Sequence, residues 1–285
     1  MVLFPILGAL ALATGTIVER IVLMKESIKT KQYQGLQFLA ITVIMIPFLL
    51  FFWKLDPEAF LLKNLLILLG VVVLSLAANW FTFTSMKWQK LSKLEPAKMT
   101  EPLFVILLAL LLSYLISPTI YERNLNAVIP ALIAGLALIF SHIKGHHFKF
   151  GKYFKFALIG SFFFASELVL SKLILDFYSP MTFYFVRSIL VLLGTLIIFK
   201  PKMMEGLDKK TKFQVAITAA ICIVYRIIIY YGYTSIGIIE TTLMIMLSPV
   251  FIYLFAWKFL KEKLTWKNLV AAGVIICCVL YAVLI

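Results

Sequence analysis

A small set of ionisable side chains lies inside long apolar stretches of this 285-residue chain. A charge in such a stretch is costly unless it is paired or wetted, so each of these residues is a functional candidate. Glu167 stands near the middle of its stretch, Lys172 follows it, and Arg187 and Arg226 lie in later stretches. One acidic and three basic side chains give this set a net positive charge. The planar guanidinium of Arg226 is well suited to bind a carboxylate. The pattern predicts a buried site that binds a solute through a carboxylate or another anionic group.

Neutral polar and aromatic residues extend the predicted substrate site. Asn79 takes the place of Arg226 in the internal repeat described below, and Trp80, Tyr230 and Thr241 would add aromatic and hydroxyl surface. Glu167 has a second predicted role. As a mid-membrane acid it could exchange a proton against substrate, which makes it the predicted coupling residue.

Structural explanations compete with these functional ones. Glu167 and Arg226 could form an ion pair that only locks two helices together. Arg187 and Lys172 stand near enough to the outer surface for their side chains to reach water. Lys98 and Glu101 are three residues apart and could satisfy each other as a local pair.

Several kinds of chemistry are not expected from the sequence. We find neither a GxSx nucleophile arrangement nor an HExxH zinc motif, so no catalytic residue is predicted. Cys222, Cys277 and Cys278 lie in apolar runs and form no CxxC zinc pair. His142, His146 and His147 have metal-like spacing but no carboxylate or cysteine nearby, so neither a metal nor a cofactor is expected.

Composition places the chain in a membrane. It is 63% hydrophobic and 14% charged, with a mean hydropathy of +1.03, which is too apolar for a water-soluble globule. Stretches long enough to cross about 30 Å of hydrocarbon at about 1.5 Å per residue recur ten times. We place these ten segments at 3–24, 34–53, 64–86, 94–116, 125–142, 154–175, 181–199, 213–234, 237–258 and 267–285. The predicted fold class is an all-α integral membrane protein with ten transmembrane helices and short loops.

The charges between the segments predict an orientation. The gaps after the odd segments, together with the first or last two residues of the segments beside them, hold 19 lysines, whereas the corresponding regions after the even segments hold only Lys54, Lys63 and Arg123. By the positive-inside rule the odd gaps face the cytoplasm and both termini face outwards. The net charge of +14 is therefore a feature of membrane topology, and no compact basic domain exists to bind nucleic acid.

The sequence also contains a weak internal repeat. Glu101-Pro102 in segment 4 takes the place of Ser248-Pro249 in segment 9, and the two prolines are 147 residues apart. We therefore predict two five-helix repeats, 1–147 and 148–285, which form one membrane domain. Because five is odd, the second repeat enters the membrane from the opposite side, which gives a five-plus-five inverted repeat.

At the level of motifs the chain resembles the EamA-type transporters of the drug/metabolite transporter superfamily. The resemblance rests on S-P-M-T-F-Y-F-V-R from Ser179 to Arg187, on S-P-V-F from Ser248, on L-K-E-K-L-T from Leu260 to Thr265, and on the closing helix with Gly273. The first half departs from it, with Gly35 where Pro180 stands and Thr42 in place of Arg187. The resemblance implies that segments 1, 3, 4, 6, 8 and 9 line a cavity. It also implies cytoplasmic termini, against the charge count, which we retain because it is specific to this chain.

An inverted repeat around a midplane site predicts a secondary-active carrier that works by alternating access. The expected solute is a small organic metabolite, for example an amino acid, that is exported or exchanged across the cell membrane, with protons as a candidate partner. An intramembrane lipid-modifying enzyme and a channel are the alternatives. Ala127, Ala131 and Gly135 recur every four residues and favour close helix packing, within a monomer or in a homodimer.

Overall fold

The structure, a computed structural model, describes residues 3–89, 94, 97–116, 121, 125–142, 151–203, 205–260 and 266–284. Within these ranges the regular structure is helical, apart from one isolated antiparallel bridge between Leu55 and Tyr178. The α-helices with described bounds are, in chain order, α1 (Leu3–Leu23), α2 (Thr30–Phe52), α3 (Leu62–Trp88), α4 (Thr100–Leu115), α5 (Leu125–His142), α6 (Lys152–Lys172), α7 (Pro180–Phe199), α8 (Lys209–Ser235), α9 (Ile238–Ile245), α10 (Ser248–Leu260) and α11 (Trp266–Leu284). Short 3-10 turns occupy Pro57–Phe60 and Leu175–Phe177.

Seven helical stretches in the described residues are long and apolar enough to cross a membrane: α1, α2, α3, α6, α7, α8 and the run Ile238–Phe255. Three shorter apolar helical stretches accompany them, at Thr100–Leu115, Asn126–Ala137 and Leu269–Tyr281. Large apolar side chains such as Leu50, Phe51 and Ile197 are more than two-thirds exposed, as expected of a surface that faces hydrocarbon. The all-helical, multi-pass membrane class is confirmed.

Predicted segment 9, at 237–258, is divided into two helices. The α9 helix ends at Ile245 and α10 begins at Ser248, so that Pro249 occupies the first turn of α10. Proline suits this position because its missing N–H would have had no partner inside the helix. Pro249 therefore marks, already in the sequence, the place where the apolar run of segment 9 divides into two helices.

The main helix pairs are α3 with α6, α1 with α8, α2 with α7 and α5 with α11. Glycines permit some of the closest approaches. A Cβ on Gly160 of α6 would collide with Thr82 Oγ1 of α3 and lie 3.2 Å from the Thr82 backbone nitrogen. A Cβ on Gly135 of α5 would lie 3.1 Å from Leu103 of α4, and Ala127 and Ala131 are buried. The small residues of α5 are thus used for packing within the chain.

Gly160→Ala is expected to lower the free energy of unfolding by about 1 to 3 kcal/mol, because the added methyl group overpacks the α3–α6 contact. Gly273→Ala is the matched control, since a Cβ on Gly273 of α11 meets no described atom within 4 Å. Thermal unfolding in detergent would compare the two variants. Equal melting temperatures for the two variants would show that Gly160 is not a packing requirement.

Hydrogen bonds join the loops at both ends of the bundle. At one end, Lys25 Nζ donates to Thr211 Oγ1 (2.7 Å) and Gln214 Oε1 (2.6 Å), and Gln32 Nε2 donates to the backbone carbonyl of Lys202 (2.8 Å). These bonds connect the α1–α2 loop to the start of α8, and the start of α2 to the α7–α8 loop. At the other end, the backbone N–H of Ser179 donates to the carbonyl of Lys54 (3.1 Å), which joins the α6–α7 and α2–α3 loops.

Asp208 caps the N-terminus of α8 through its Oδ1, which accepts a hydrogen bond from the Thr211 backbone N–H (3.2 Å). Hydrogen bonding by the Thr211 side chain, and to a smaller extent by this backbone N–H, holds the pKa of the exposed Asp208 carboxyl below its usual value. A depressed folded-state pKa gives stability that is present above the unfolded pKa and lost as pH falls through the folded one. Asp208→Ala should therefore lower the melting temperature at neutral pH, and the difference from wild type should shrink in acid. Asp208→Asn is the control, because an asparagine cap does not titrate.

Candidate functional site

Glu167 lies at the centre of a buried ion cluster. It is fully buried on α6, with its Oε1 2.7 Å from Nε of Arg187 on α7 and its Oε2 accepting a hydrogen bond from Nη1 of Arg226 on α8 (3.2 Å). The Arg187 Nε is close enough for charge attraction but is not aligned for a hydrogen bond. Tyr230 OH also donates to Oε1 (3.1 Å). Three helices are thus tied together by one carboxylate and two guanidiniums.

Neighbouring polar groups position Arg187. Its Nη2 donates to Ser75 Oγ on α3 (2.6 Å), and Asn79 donates its Nδ2 to the Ser75 carbonyl (2.7 Å). The guanidinium also lies over the ring of Tyr184, 5.6 Å from its centroid. Arg187 therefore has an ionic, a polar and an aromatic partner while being 1% exposed.

Arg226 is held in a similar way by rings. Its guanidinium carbon lies 5.2 Å from the ring centroid of Phe164 and 5.8 Å from that of Tyr225. Cation–π contacts of this kind stabilise a guanidinium that has lost its water. The head group is consequently held in place, and Arg226 lines the space beside it.

That space is a cavity of about 100 Å³. Both arginines and Asn79 line it, whereas Glu167 lies behind them and is not part of the wall. A buried water needs roughly 10 to 15 Å³ of such volume, so the cavity holds about seven to ten waters, or a solute of about as many heavy atoms. The arginines thus face a space of metabolite size.

Acidic residues and a lysine lie on other parts of this wall. Glu19 of α1 and Glu101 of α4 line the cavity together with Lys98. Gln37 Nε2 donates to Glu19 Oε1 (2.7 Å), and the Cys222 thiol lies 3.8 Å from the same oxygen. The wall therefore presents both cationic and anionic groups to a solute.

A second cavity of about 70 Å³ adjoins the first and shares Leu12, Thr16, Lys98, Glu101 and Tyr225 with it. Its other walls are mostly apolar and include the two repeat-related proline segments. They are Met99, Pro102, Val105, Leu168, Ile229, Tyr233, Thr242, Ile245, Ser248, Pro249 and Ile252. This space suits the apolar part of a solute.

The structure brings four of the six predicted substrate residues together: Glu167, Arg226, Tyr230 and Asn79. Trp80 lies elsewhere, among the rings of Phe81, Phe156 and Phe199. Thr241 is buried on α9, where its hydroxyl donates to the Gly237 carbonyl (2.5 Å). A Cβ on Gly232 would collide with Thr241, so Thr241 lies at a close contact between α8 and α9. Thr241 does not line either cavity.

The surface position predicted for Arg187 is wrong. The residue is buried in the ion cluster because α7 packs with this face against α3 and α8, which apolar periodicity alone does not reveal. The corresponding interpretation of Lys172 agrees with the structure, since its Nζ lies 3.6 Å from the exposed Asp176 carboxylate. His146 and His147 lie outside the described residues, as do the positions 261–265 that carry part of the family motif.

The local Lys98–Glu101 pair is also absent: within the described residues, no ion pair of 4.0 Å or less joins them. Lys98 Nζ instead lies 4.0 Å from Met86 Sδ. The position of Glu101 beside Pro102, at the point equivalent to Ser248-Pro249, was the sequence signal that could have identified it as a cavity residue.

All six helical segments that the family resemblance assigns to the cavity contribute to its walls. The α2 and α7 helices contribute as well, through residues such as Phe38 and Tyr184. A charged cavity enclosed by membrane-embedded helices is typical of proteins that move polar solutes through a bilayer.

Comparison with known proteins agrees with this class. The model of the EamA-like transporter family matches residues 151–284, which is consistent with the drug/metabolite transporter superfamily. The resemblance seen in the sequence is thereby confirmed. Comparison with curated proteins gives no match.

Solved structures support the fold across the whole chain. A crystal structure of another protein is similar over 98% of this chain and 95% of its own, with a TM-score of 0.67 and 14% sequence identity. At that identity the likeness establishes the fold alone.

Proposed function

We propose that this protein is a secondary-active carrier that exports or exchanges a small organic metabolite bearing a carboxylate, such as an amino acid. The observation that carries the proposal is the pair of guanidiniums that share one carboxylate and face a cavity. Glu167 neutralises one of the two positive charges of Arg187 and Arg226, which leaves one charge for a ligand. A carboxylate that enters the cavity would supply the second counter-charge.

Alternating access around this site requires two equivalent bundles, and the packing supports an inverted repeat of 1–147 and 148–285. In such a repeat α1 corresponds to α6 and α3 to α8. The contact between α1 and α8 is then the equivalent of the contact between α6 and α3, and both are observed. The α2–α7 and α5–α11 pairs would lie on the pseudo-two-fold axis.

The loop contacts support the same symmetry. The start of α2 bonds to the α7–α8 loop at one end, and the residue just before α7 bonds to the α2–α3 loop at the other. The pseudo-two-fold axis of the proposed inverted repeat would superimpose each of these two junctions on the other. We propose that they close and open in alternation, in a ten-helix bundle whose short apolar helices α4, α5 and α11 also cross the membrane.

The proposed orientation follows from the charges. With 19 lysines in or directly beside the gaps after the odd segments, the junction around Lys25 and Gln32 lies on the cytoplasmic side of the cell membrane and both termini lie outside. Cysteines introduced at Lys54 and at Lys202 would test this orientation. A membrane-impermeant thiol reagent applied to whole cells should label the cysteine at 54 and leave that at 202 unlabelled, and the reverse would overturn the assignment.

Counterflow in proteoliposomes tests the carrier itself. Vesicles loaded with an unlabelled metabolite pool would be offered labelled amino acids, organic acids, sugars and nucleosides. A carrier accumulates its solute transiently and saturably, because each inward step is exchanged for an outward one. A channel gives flux without saturation or counterflow, and an intramembrane lipid enzyme gives chemical turnover of lipid without solute flux.

The predicted coupling role of Glu167 stays a prediction. The two neighbouring guanidiniums determine the free-energy cost of protonating its carboxylate. Protonation of Glu167 would leave two buried guanidiniums without their shared counter-charge, which is expensive for buried charges. Flux under a pH gradient that is identical in wild type and Glu167→Gln would remove this role.

A further inference from the structure

Glu101 is an acidic residue of the cavity wall whose carboxylate is not paired with any group among the described residues. It lies in the first turn of α4 and lines both cavities. Among the described residues, neither of its carboxylate oxygens has a hydrogen-bond donor within bonding distance or a cation within 4.0 Å. Glu167 by contrast contacts two guanidiniums and a tyrosine, and Glu19 accepts a hydrogen bond from Gln37.

An unpartnered carboxylate in a mostly buried space calls for an explanation, because ionisation there is not compensated by the protein. The charged and titratable groups that surround it come from several elements. They are Lys98 in the same segment, Glu19 on α1, Tyr184 and Arg187 on α7, Cys222, Tyr225, Arg226 and Tyr233 on α8, and Glu167 behind them on α6. The cavity-lining residues described on α9, Thr242 and Ile245, do not titrate, and α5 contributes none to either wall.

The charges of this set decide what a proton on Glu101 would do. With Glu101 ionised, the acids Glu19, Glu101 and Glu167 balance the bases Lys98, Arg187 and Arg226. With Glu101 protonated, the three bases face two acids, and the site carries one positive charge. A carboxylate-bearing solute is attracted more strongly to the second state than to the first, because the net charge of the site then adds to the local charge of the two arginines.

We propose that Glu101 takes up a proton together with the carboxylate-bearing solute, so that proton and solute occupy the cavity at the same time. This inference rests on the proposed carrier function. The proton passes from bulk water to a carboxylate oxygen of Glu101 and returns to water when the solute leaves, and no other bond changes. Because linkage is reciprocal, the solute also raises the affinity of Glu101 for its proton.

Carbodiimide labelling tests the proton-binding part without any solute. Dicyclohexylcarbodiimide reacts with a protonated carboxyl: the proton moves to a carbodiimide nitrogen, the carboxylate oxygen bonds to the central carbon, and the adduct rearranges to a stable N-acylurea. In ligand-free proteoliposomes the peptide that contains Glu101 should be labelled, and faster as pH falls, while Glu167 remains unmodified. Labelling of Glu19 or Glu167 in place of Glu101 would overturn the assignment, whether or not the protein transports.

The pH profile of counterflow tests the coupling part, with the labelled organic acid or amino acid that gives the highest counterflow as the probe. Between about pH 8 and about pH 5 the KM of wild type should fall roughly tenfold, and that of Glu101→Gln should not change with pH, because the amide mimics the protonated state. Glu19→Gln is the matched control and should keep the pH dependence. A KM that rises as pH falls, or a dependence that survives in Glu101→Gln, would overturn the proposal, whereas absent counterflow in wild type would instead refute the carrier function.

Discussion

Replacement of Glu167 by glutamine is expected to lower the free energy of unfolding by about 3 to 5 kcal/mol, the range found when one partner of a buried ion pair is removed. The effect is large because Glu167 is the counter-charge of two buried guanidiniums, at 2.7 Å and 3.2 Å. The substitution keeps the size and shape of the side chain, so packing changes little. Thermal unfolding and the yield of monodisperse protein in detergent would measure the loss.

Two further variants separate the charge from its surroundings. Tyr230→Phe removes one hydrogen bond to Glu167 and should cost only about 1 kcal/mol. Adding Arg187→Gln to Glu167→Gln removes one of the two uncompensated charges and should restore part of the stability. If Glu167→Gln costs less than about 1 kcal/mol, the cluster is not the electrostatic centre of the bundle.

Arg226→Ala is expected to raise the KM of counterflow by about 10- to 100-fold. The substitution removes a cavity-lining guanidinium, and Glu167 neutralises only one of the two guanidinium charges in the cluster. The fold should tolerate this change better than the loss of Glu167. Arg187 remains within 2.7 Å of Glu167, so the acid keeps one counter-charge.

Arg226→Lys is the matched control for charge. It keeps the positive charge but loses the planar fork and its contacts with the rings of Phe164 and Tyr225. An intermediate KM is expected for this variant. Unchanged transport in Arg226→Ala would keep the carrier but place its anion site elsewhere.

The sequence predicts the helical framework well because long apolar runs leave little choice of structure. Predicted segment 64–86 corresponds to Leu62–Trp88, and segment 181–199 to Pro180–Phe199. The break at Ser248-Pro249 could also be predicted, since proline begins a helix more readily than it continues one. Glu167 and Arg226 could be identified as site residues from the sequence, because a charged side chain in the hydrocarbon region is costly and is therefore a functional candidate.

The helix faces could not be predicted in the same way. In a helix that is apolar all round, periodicity does not show which side meets lipid and which meets a neighbour. The sequence therefore predicts a position near the surface for Arg187, which is 1% exposed. For the same reason it predicts Trp80 and Thr241 in the substrate site, whereas the structure places them in aromatic packing and in the α8–α9 contact.

The contact between Arg226 and the carboxylate of the solute is the central claim, and a thermodynamic cycle tests it most directly. Inhibition of counterflow by the transported acid and by its neutral primary amide would be measured in wild type and in Arg226→Ala. We expect wild type to prefer the acid by at least about tenfold and the variant to bind acid and amide alike, since the discriminating charge is gone. A preference for the acid that persists undiminished in Arg226→Ala would show that this arginine does not hold the carboxylate.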